Sequence, residues 1–243
     1  MKTFRVALVL VAATATLWAG KNKESGAKVV DSGTFRILLN DKQIGTETFS
    51  IQQQGDHSIT SSQIKVTADA KAEQSSVLEM TSSGELVRYA WKETSPDKAE
   101  TSVDVVQGAV LQHLTLPQNK KPLDVPYMIP PTTMVLDDNF FSHRQLLIWR
   151  YLAESCKTVD GKASCAMKPL KLGILVPAQH TPAVITVDFV GNEKITINGK
   201  ERDLLRFKLM ADDVEWAVWA DGADSYKVQR IVVPSMKTEV VRD

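Results

Sequence analysis

Two cysteines, Cys156 and Cys165, are the only ones in the chain, and they flank Asp160-Gly161, a turn dipeptide. Three chemistries are open to such a pair: a disulfide, a share in a metal site, or redox cycling. The eight residues between them fit neither the Cys-x-x-Cys redox spacing nor the common zinc spacings, and zinc would need two further ligands. His57, His113, His143 and His180 are scattered and share no ligand spacing, so each reads as a surface or internally satisfied histidine. Ser142-His143 is adjacent in sequence, but neighbours on a helix point about 100° apart and do not face each other. Asp137-Asp138 reads as a helix cap and Asp212-Asp213 as a turn. There is no Gly-x-Ser-x-Gly elbow, no His-Glu-x-x-His and no phosphate-binding glycine loop. The expectation is a non-enzyme with no cofactor and no metal, and a site assembled only in three dimensions is the one route left to catalysis.

Compartment decides among the cysteine chemistries, and the N-terminus bears on compartment. Lys2 and Arg5 precede a twelve-residue apolar stretch, Val6 to Leu17, followed by the small residues Ala19 and Gly20. That is the layout of a secretory leader over residues 1–19. It is too short for a spanning helix, which needs about 20 apolar residues, and no other stretch is long and apolar enough to span a bilayer after processing. Residues 20–28 are polar and read as a flexible lead-in. Export places Cys156 and Cys165 where cysteines usually pair, so a structural disulfide across the Asp160-Gly161 turn is expected. The chain has 29 basic and 29 acidic residues, and losing Lys2 and Arg5 leaves a small acidic excess. Nucleic-acid binding normally needs a basic excess and is excluded as a partner class.

Period-two alternation dominates what must hold these residues. Phe35, Ile37 and Leu39 share a face, as do Phe49 and Ile51, and then Val87, Tyr89 and Trp91. Short polar turns lie between such runs, the mark of an antiparallel meander. Five prolines between 117 and 131 break the pattern and read as an irregular crossover or flap. A helix follows over about 139–155, with Asp137 or Asp138 as its cap and an apolar arc through Phe141, Ile148 and Leu152. His143, Arg150 and Glu154 group on its opposite face. Arg144 flanks the arc, read first as a surface arginine with a snorkelling stem and alternatively as an anion anchor. Strands resume after the cysteines, with turns at Gly191-Asn192 and Asn198-Gly199. Trp216 and Trp219, three apart in one strand, cannot share a face, and Trp216 is taken as inward because Val214 and Val218 share its phase. The fold expected for residues 29–243 is mainly β: one strongly curved antiparallel sheet of about a dozen strands, a half-barrel or open barrel, wrapped around one helix.

Three segments carry a resemblance. "FRILLNDKQIGTETFSI", "PTTMVLDDNFFSHRQLLIWRYL" and "VEWAVWADGADSYKVQRIVVP" resemble the first hairpin, the proline-rich approach with its helix, and the tryptophan hairpin of uncharacterised exported domains of Gram-negative bacteria. These are similar to the periplasmic lipoprotein carriers LolA and LolB. The resemblance implies a periplasmic location, or otherwise an extracellular one, and an apolar cavity between sheet and helix that binds acyl chains. It brings no catalytic residue. Tyr89, Trp91, Arg144, Ile148, Trp149 and Trp216 are the side chains expected to line the cavity, with a lipid or other apolar small molecule as partner. An envelope scaffold with a filled interior, and a hydrolase of unrecognised type, are the alternatives.

Overall fold

The computed structural model describes residues 26–68, 71–115, 121–130, 132–159 and 162–243. The leader, most of the lead-in and the Asp160-Gly161 turn lie outside the described residues. The first meander comprises β1 (Lys28–Leu39), β2 (Lys42–Gln54), β3 (His57–Val66), β4 (Ala72–Thr81), β5 (Leu86–Ser95), β6 (Glu100–Val106), β7 (Ala109–Thr115) and β8 (Leu123–Tyr127). After β9 (Met134–Val135) comes helix α1 (Ser142–Ser155), then the short strands β10 (Cys156–Val159) and β11 (Lys162–Cys165). The second meander is β12 (Leu170–Val176), β13 (Thr181–Ile197), β14 (Lys200–Ala211), β15 (Val214–Asp221), β16 (Lys227–Val233) and β17 (Thr238–Arg242).

Fifteen strands form one sheet in the order β8-β7-β6-β5-β4-β3-β2-β1-β17-β16-β15-β14-β13-β12-β9. Every pairing is antiparallel except β9 with β12. Each meander follows from alternation and tight turns. At the β13–β14 turn, for instance, Asn198 and Gly199 both have positive φ, 51° and 75°, as a two-residue hairpin requires. The meanders join where β17 pairs with β1. There Arg242 donates to both carboxylate oxygens of the buried Asp31, at 3.1 and 2.5 Å.

The sheet curves strongly but does not close by a backbone ladder. Residues 128–133 connect β8 to β9, the two ends of the strand order. Side chains stitch that seam: Gln112 of β7 donates to the Pro177 carbonyl beyond β12 at 2.9 Å and accepts from Tyr127 Oη at 2.8 Å. Part of the proline-rich crossover is therefore strand, not irregular chain. Pro126 is tolerated in β8 because β8 is an edge and one side needs no donor.

Gly191-Asn192 is not a turn. β13 runs through it with a bulge between Phe189 and Gly191, where φ is 135°. A bulge bends a strand, and the β13–β14 hairpin beyond it folds over the outer face of the sheet. Asn198 there reaches the Arg242 carbonyl and Arg202 reaches Gln229. Ile197, Leu204, Ala217, Trp219 and Val241 make a small second apolar cluster under it, while the main core fills the concave side. Cys156 and Cys165 are register partners in the β10–β11 pair and are bonded. Closing so short a loop contributes roughly 2–3 kcal/mol.

Candidate ligand-binding site

Helix α1 is the element on which the candidate site is built, and its first turn is held in an unexpected way. It begins at Ser142, and neither Asp137 nor Asp138 caps it. The cap is Glu47 of β2, whose carboxylate accepts the Phe141 N–H at 2.7 Å and the Ser142 N–H at 3.2 Å. Ser142 Oγ shares a 2.7 Å hydrogen bond with Ser62 Oγ of β3. Across the helix, Gln145 accepts from Val228 N–H and donates to the Tyr226 carbonyl. The N-terminal turn is thus clamped between two distant parts of the sheet, with a carboxylate at the positive end of the helix dipole. Burial raises the Glu47 pKa, while its hydrogen bonds from Ser142, Phe141 and Ser62 pull the other way.

Asp137 and Arg144 make a second buried knot. Asp137 accepts from Tyr89 Oη and from the Asn139 N–H, and burial raises the pKa of both Asp137 and Tyr89. Arg144 is 1% exposed. Its Nη1 donates to the Asp137 and Phe140 carbonyls at 2.8 Å each, and its Nη2 to Asp138 Oδ1 at 3.3 Å. It is no surface arginine: three acceptors near the helix start draw the guanidinium inward. His143 is also buried rather than on an outer face. Its Nδ1 accepts the Asp137 N–H, and Nε2 has no partner among the described residues.

Burial, and then the charge of Arg144, push His143 down from 6.5 to about 3. The unfolded chain takes up a proton below pH 6.5 that the folded protein refuses until about pH 3. The stability His143 contributes is therefore complete above pH 6.5 and is lost as pH falls, by up to about 1.4 kcal/mol per unit. Glu47 and Asp137, raised in the fold, take up protons early and offset part of that loss. His143→Asn keeps an acceptor for Asp137 N–H and removes the titration. Between pH 6.5 and 5, wild type is expected to lose up to about 2 kcal/mol relative to that variant. Urea denaturation at a series of pH values measures this, and parallel stability curves would contradict it.

Two concavities flank α1. The larger, about 530 Å³, lies between the helix and the mouth of β1–β4. Ile51, Met80, Met134, Leu146 and Trp149 line it with Val30, and Ser82, Ser83, Arg150 and Glu154 bring polar atoms. Arg150 bonds Glu154 and the Ser83 carbonyl of the β4–β5 turn. The smaller, about 210 Å³, includes Leu136, Phe141, Ile174, Val176, Val214, Trp216 and Val233, with Asp138, Arg144, Gln179 and Asp212. The Arg144 guanidinium lies 5.6 Å from the Phe141 ring centre and 5.7 Å from that of Trp216.

The six expected lining residues are dispersed. Arg144 and Trp216 meet in the smaller cavity and Trp149 lines the larger groove. Trp91 lines a separate concavity over β4–β7. Tyr89 and Ile148 are fully buried core. Trp216 and Trp219 do take opposite faces, Trp216 with the main core and Trp219 with the outer cluster. Glu47 and Ser62 were not singled out from sequence, although Glu47 falls in the same phase as Phe49 and Ile51, and Ser142 was weighed only beside His143. Among the described residues no group of histidine, cysteine and carboxylate side chains could hold a metal, and no helix is long and apolar enough to cross a membrane.

No family model matches the sequence, and no curated protein matches it. Among solved structures the chain is similar to a beta-barrel-like protein, of a domain of unknown function termed DUF1849, from Brucella abortus. The identity is 10%, the match covers 87% of this chain and 94% of that one, and the TM-score is 0.53. At that identity the likeness is one of fold: a β-rich, barrel-like architecture.

Proposed function

We propose that this protein is an exported, non-catalytic binding protein that holds an apolar ligand, a lipid acyl chain by class, in the groove between α1 and the mouth of β1–β4. The lining of that groove carries the reading: Ile51, Met80, Met134 and Leu146 give it an apolar wall. Ligand sites are concave and mostly apolar with a few polar groups, at about 300–1,000 Å³. Two methionines suit a flexible chain because their thioethers adapt to its shape. The basic-then-apolar N-terminal pattern supports export, as does the disulfide. The non-catalytic reading draws support from the groups best suited to chemistry. Glu47, Ser62, Ser142, Asp137 and His143 are buried and bonded into anchoring the helix. A likeness to the LolA and LolB carriers belongs to this proposal.

The scaffold alternative rests on one observation: Phe140, Leu147, Ile148 and Tyr151 fill the space directly beneath the helix. A ligand therefore lies beside α1, not under it. Labelling the delipidated protein with 5-fluorotryptophan and titrating oleate separates the readings. The Trp149 fluorine resonance is expected to shift saturably. Ala153→Phe, on the exposed helix surface lining the groove, is expected to weaken binding at least ~tenfold, or about 1.4 kcal/mol, with unchanged far-UV circular dichroism. No saturable shift, or unchanged affinity in the variant, leaves the scaffold reading.

A further inference from the structure

We infer that Asn198 is a site of spontaneous covalent modification, hydrolysis of its side-chain amide to aspartate and isoaspartate, and that docking of the β13–β14 hairpin on the sheet holds this reaction in check. Of the six asparagines in the chain, only Asn198 precedes a glycine. In that dipeptide the Gly199 nitrogen attacks Asn198 Cγ. The new N–Cγ bond closes a cyclic imide, the Cγ–Nδ2 bond breaks, and Nδ2 leaves as ammonia with the Gly199 amide proton. Water then adds across either imide C–N bond, giving aspartate or isoaspartate. No co-reactant other than water enters. Both residues are exposed, and a side chain built on Gly199 would meet open space, so nothing bulky blocks the attack.

The fold opposes the reaction at the tip of the hairpin. Ile197 pairs with Lys200 across the turn, and both ends of the Asn198 amide are engaged by other strands. Oδ1 accepts from Arg36 Nη2 of β1 at 2.5 Å, and Nδ2 donates to the Arg242 carbonyl of β17 at 3.3 Å. Arg36 is itself held by Asp243. Cyclisation turns Cγ back onto its own chain, so these tethers have to break first and the hairpin tip has to lift locally. The product does not dock as the amide did. A carboxylate only accepts, so it has no donor for the Arg242 carbonyl. Isoaspartate adds a methylene to the backbone of a two-residue turn, whose length sets the register of its strands. Modification therefore records that the hairpin has opened, and leaves it looser over Ile197, Leu204 and Trp219.

Incubating the intact protein in mildly alkaline buffer, then reading its peptides by mass spectrometry, follows the conversion. In the guanidinium-unfolded chain Asn198 is expected to convert first among the asparagines, and in the folded protein at least about tenfold more slowly. Arg36→Ala removes one tether and is expected to raise the folded rate several-fold with unchanged far-UV circular dichroism. Asn198→Asp stands in for one product. It is expected to move the Trp219 resonance of the 5-fluorotryptophan protein, assigned by Trp219→Phe, and to leave that of Trp149 in place. Three rate outcomes would overturn the proposal: equal rates in folded and unfolded chains, faster conversion at another asparagine of the unfolded chain, or an Arg36→Ala rate at or below wild type. The last is the result if the guanidinium serves only to polarise the amide carbonyl. A Trp219 resonance unmoved by Asn198→Asp would overturn it too. None of these outcomes depends on oleate in the groove.

Discussion

Glu47→Ala is expected to lower the free energy of unfolding by about 2–5 kcal/mol, because it leaves two backbone N–H groups at the start of α1 without their acceptor. Glu47 is 0% exposed and is the acceptor for two N–H groups at the start of α1. Removing it leaves the buried Ser142 N–H and the part-buried Phe141 N–H without partners, at about 1–3 kcal/mol for a fully buried donor. No local residue can replace it, because the chain before the helix offers no side-chain cap. Glu47→Gln retains a carbonyl oxygen at the same reach and is expected to recover at least half the loss. Urea unfolding followed by circular dichroism reads both. A Glu47→Ala midpoint equal to wild type would show that the helix is held by its apolar contacts alone.

Ile148→Ala is the second large effect, at about 2–5 kcal/mol, the range for emptying a fully packed aliphatic site. Ile148 is 0% exposed and lies in the main core with Leu147 and Tyr151. It lines neither flanking concavity, so the variant separates stability from binding. The midpoint should fall while the variant, still folded at low temperature, shifts its Trp149 resonance with oleate as wild type does. Arg150→Ala on the solvent side removes a part-exposed ion pair with Glu154 and is expected to cost under about 1 kcal/mol. An unchanged midpoint for Ile148→Ala would contradict its place in the core.

Much of the sheet is legible in the chain because alternation and turn chemistry are local. Phe35, Ile37, Phe49, Ile51 and Tyr89 all lie where period two places them. Gly191 misleads because a bulge and a turn both call for a residue free to leave the usual φ range, and only the partner strand distinguishes them. The short strands β8, β9 and β17 carry too few residues for a period to register. The site was legible in a different way. Glu47 keeps phase with Phe49 and Ile51, and Ser62 with Ile64, so each polar residue stands where the pattern asks for an apolar one. That conflict between local pattern and residue type is itself a pointer to a buried polar network. The burial of Arg144 was not legible, since its acceptors are the carbonyls of Asp137 and Phe140, presented only once the helix turns in.

The junction of β1 with β17 fixes the order in which this molecule can be made. Asp31 and Arg242, bonded there, are 211 residues apart, while most other ladders form between strands adjacent along the chain. Loop closure over such a distance comes late, because its entropy cost falls due before the distant contact repays it. As the chain emerges from its N-terminus, the β1–β8 meander exists before β17 does, with the β1 edge open. An open strand edge is a template for pairing with another chain. Until Thr238–Arg242 arrives, that edge has to be kept from other nascent chains, so the interval between synthesis of β1 and of β17 is when this protein is most vulnerable to aggregation.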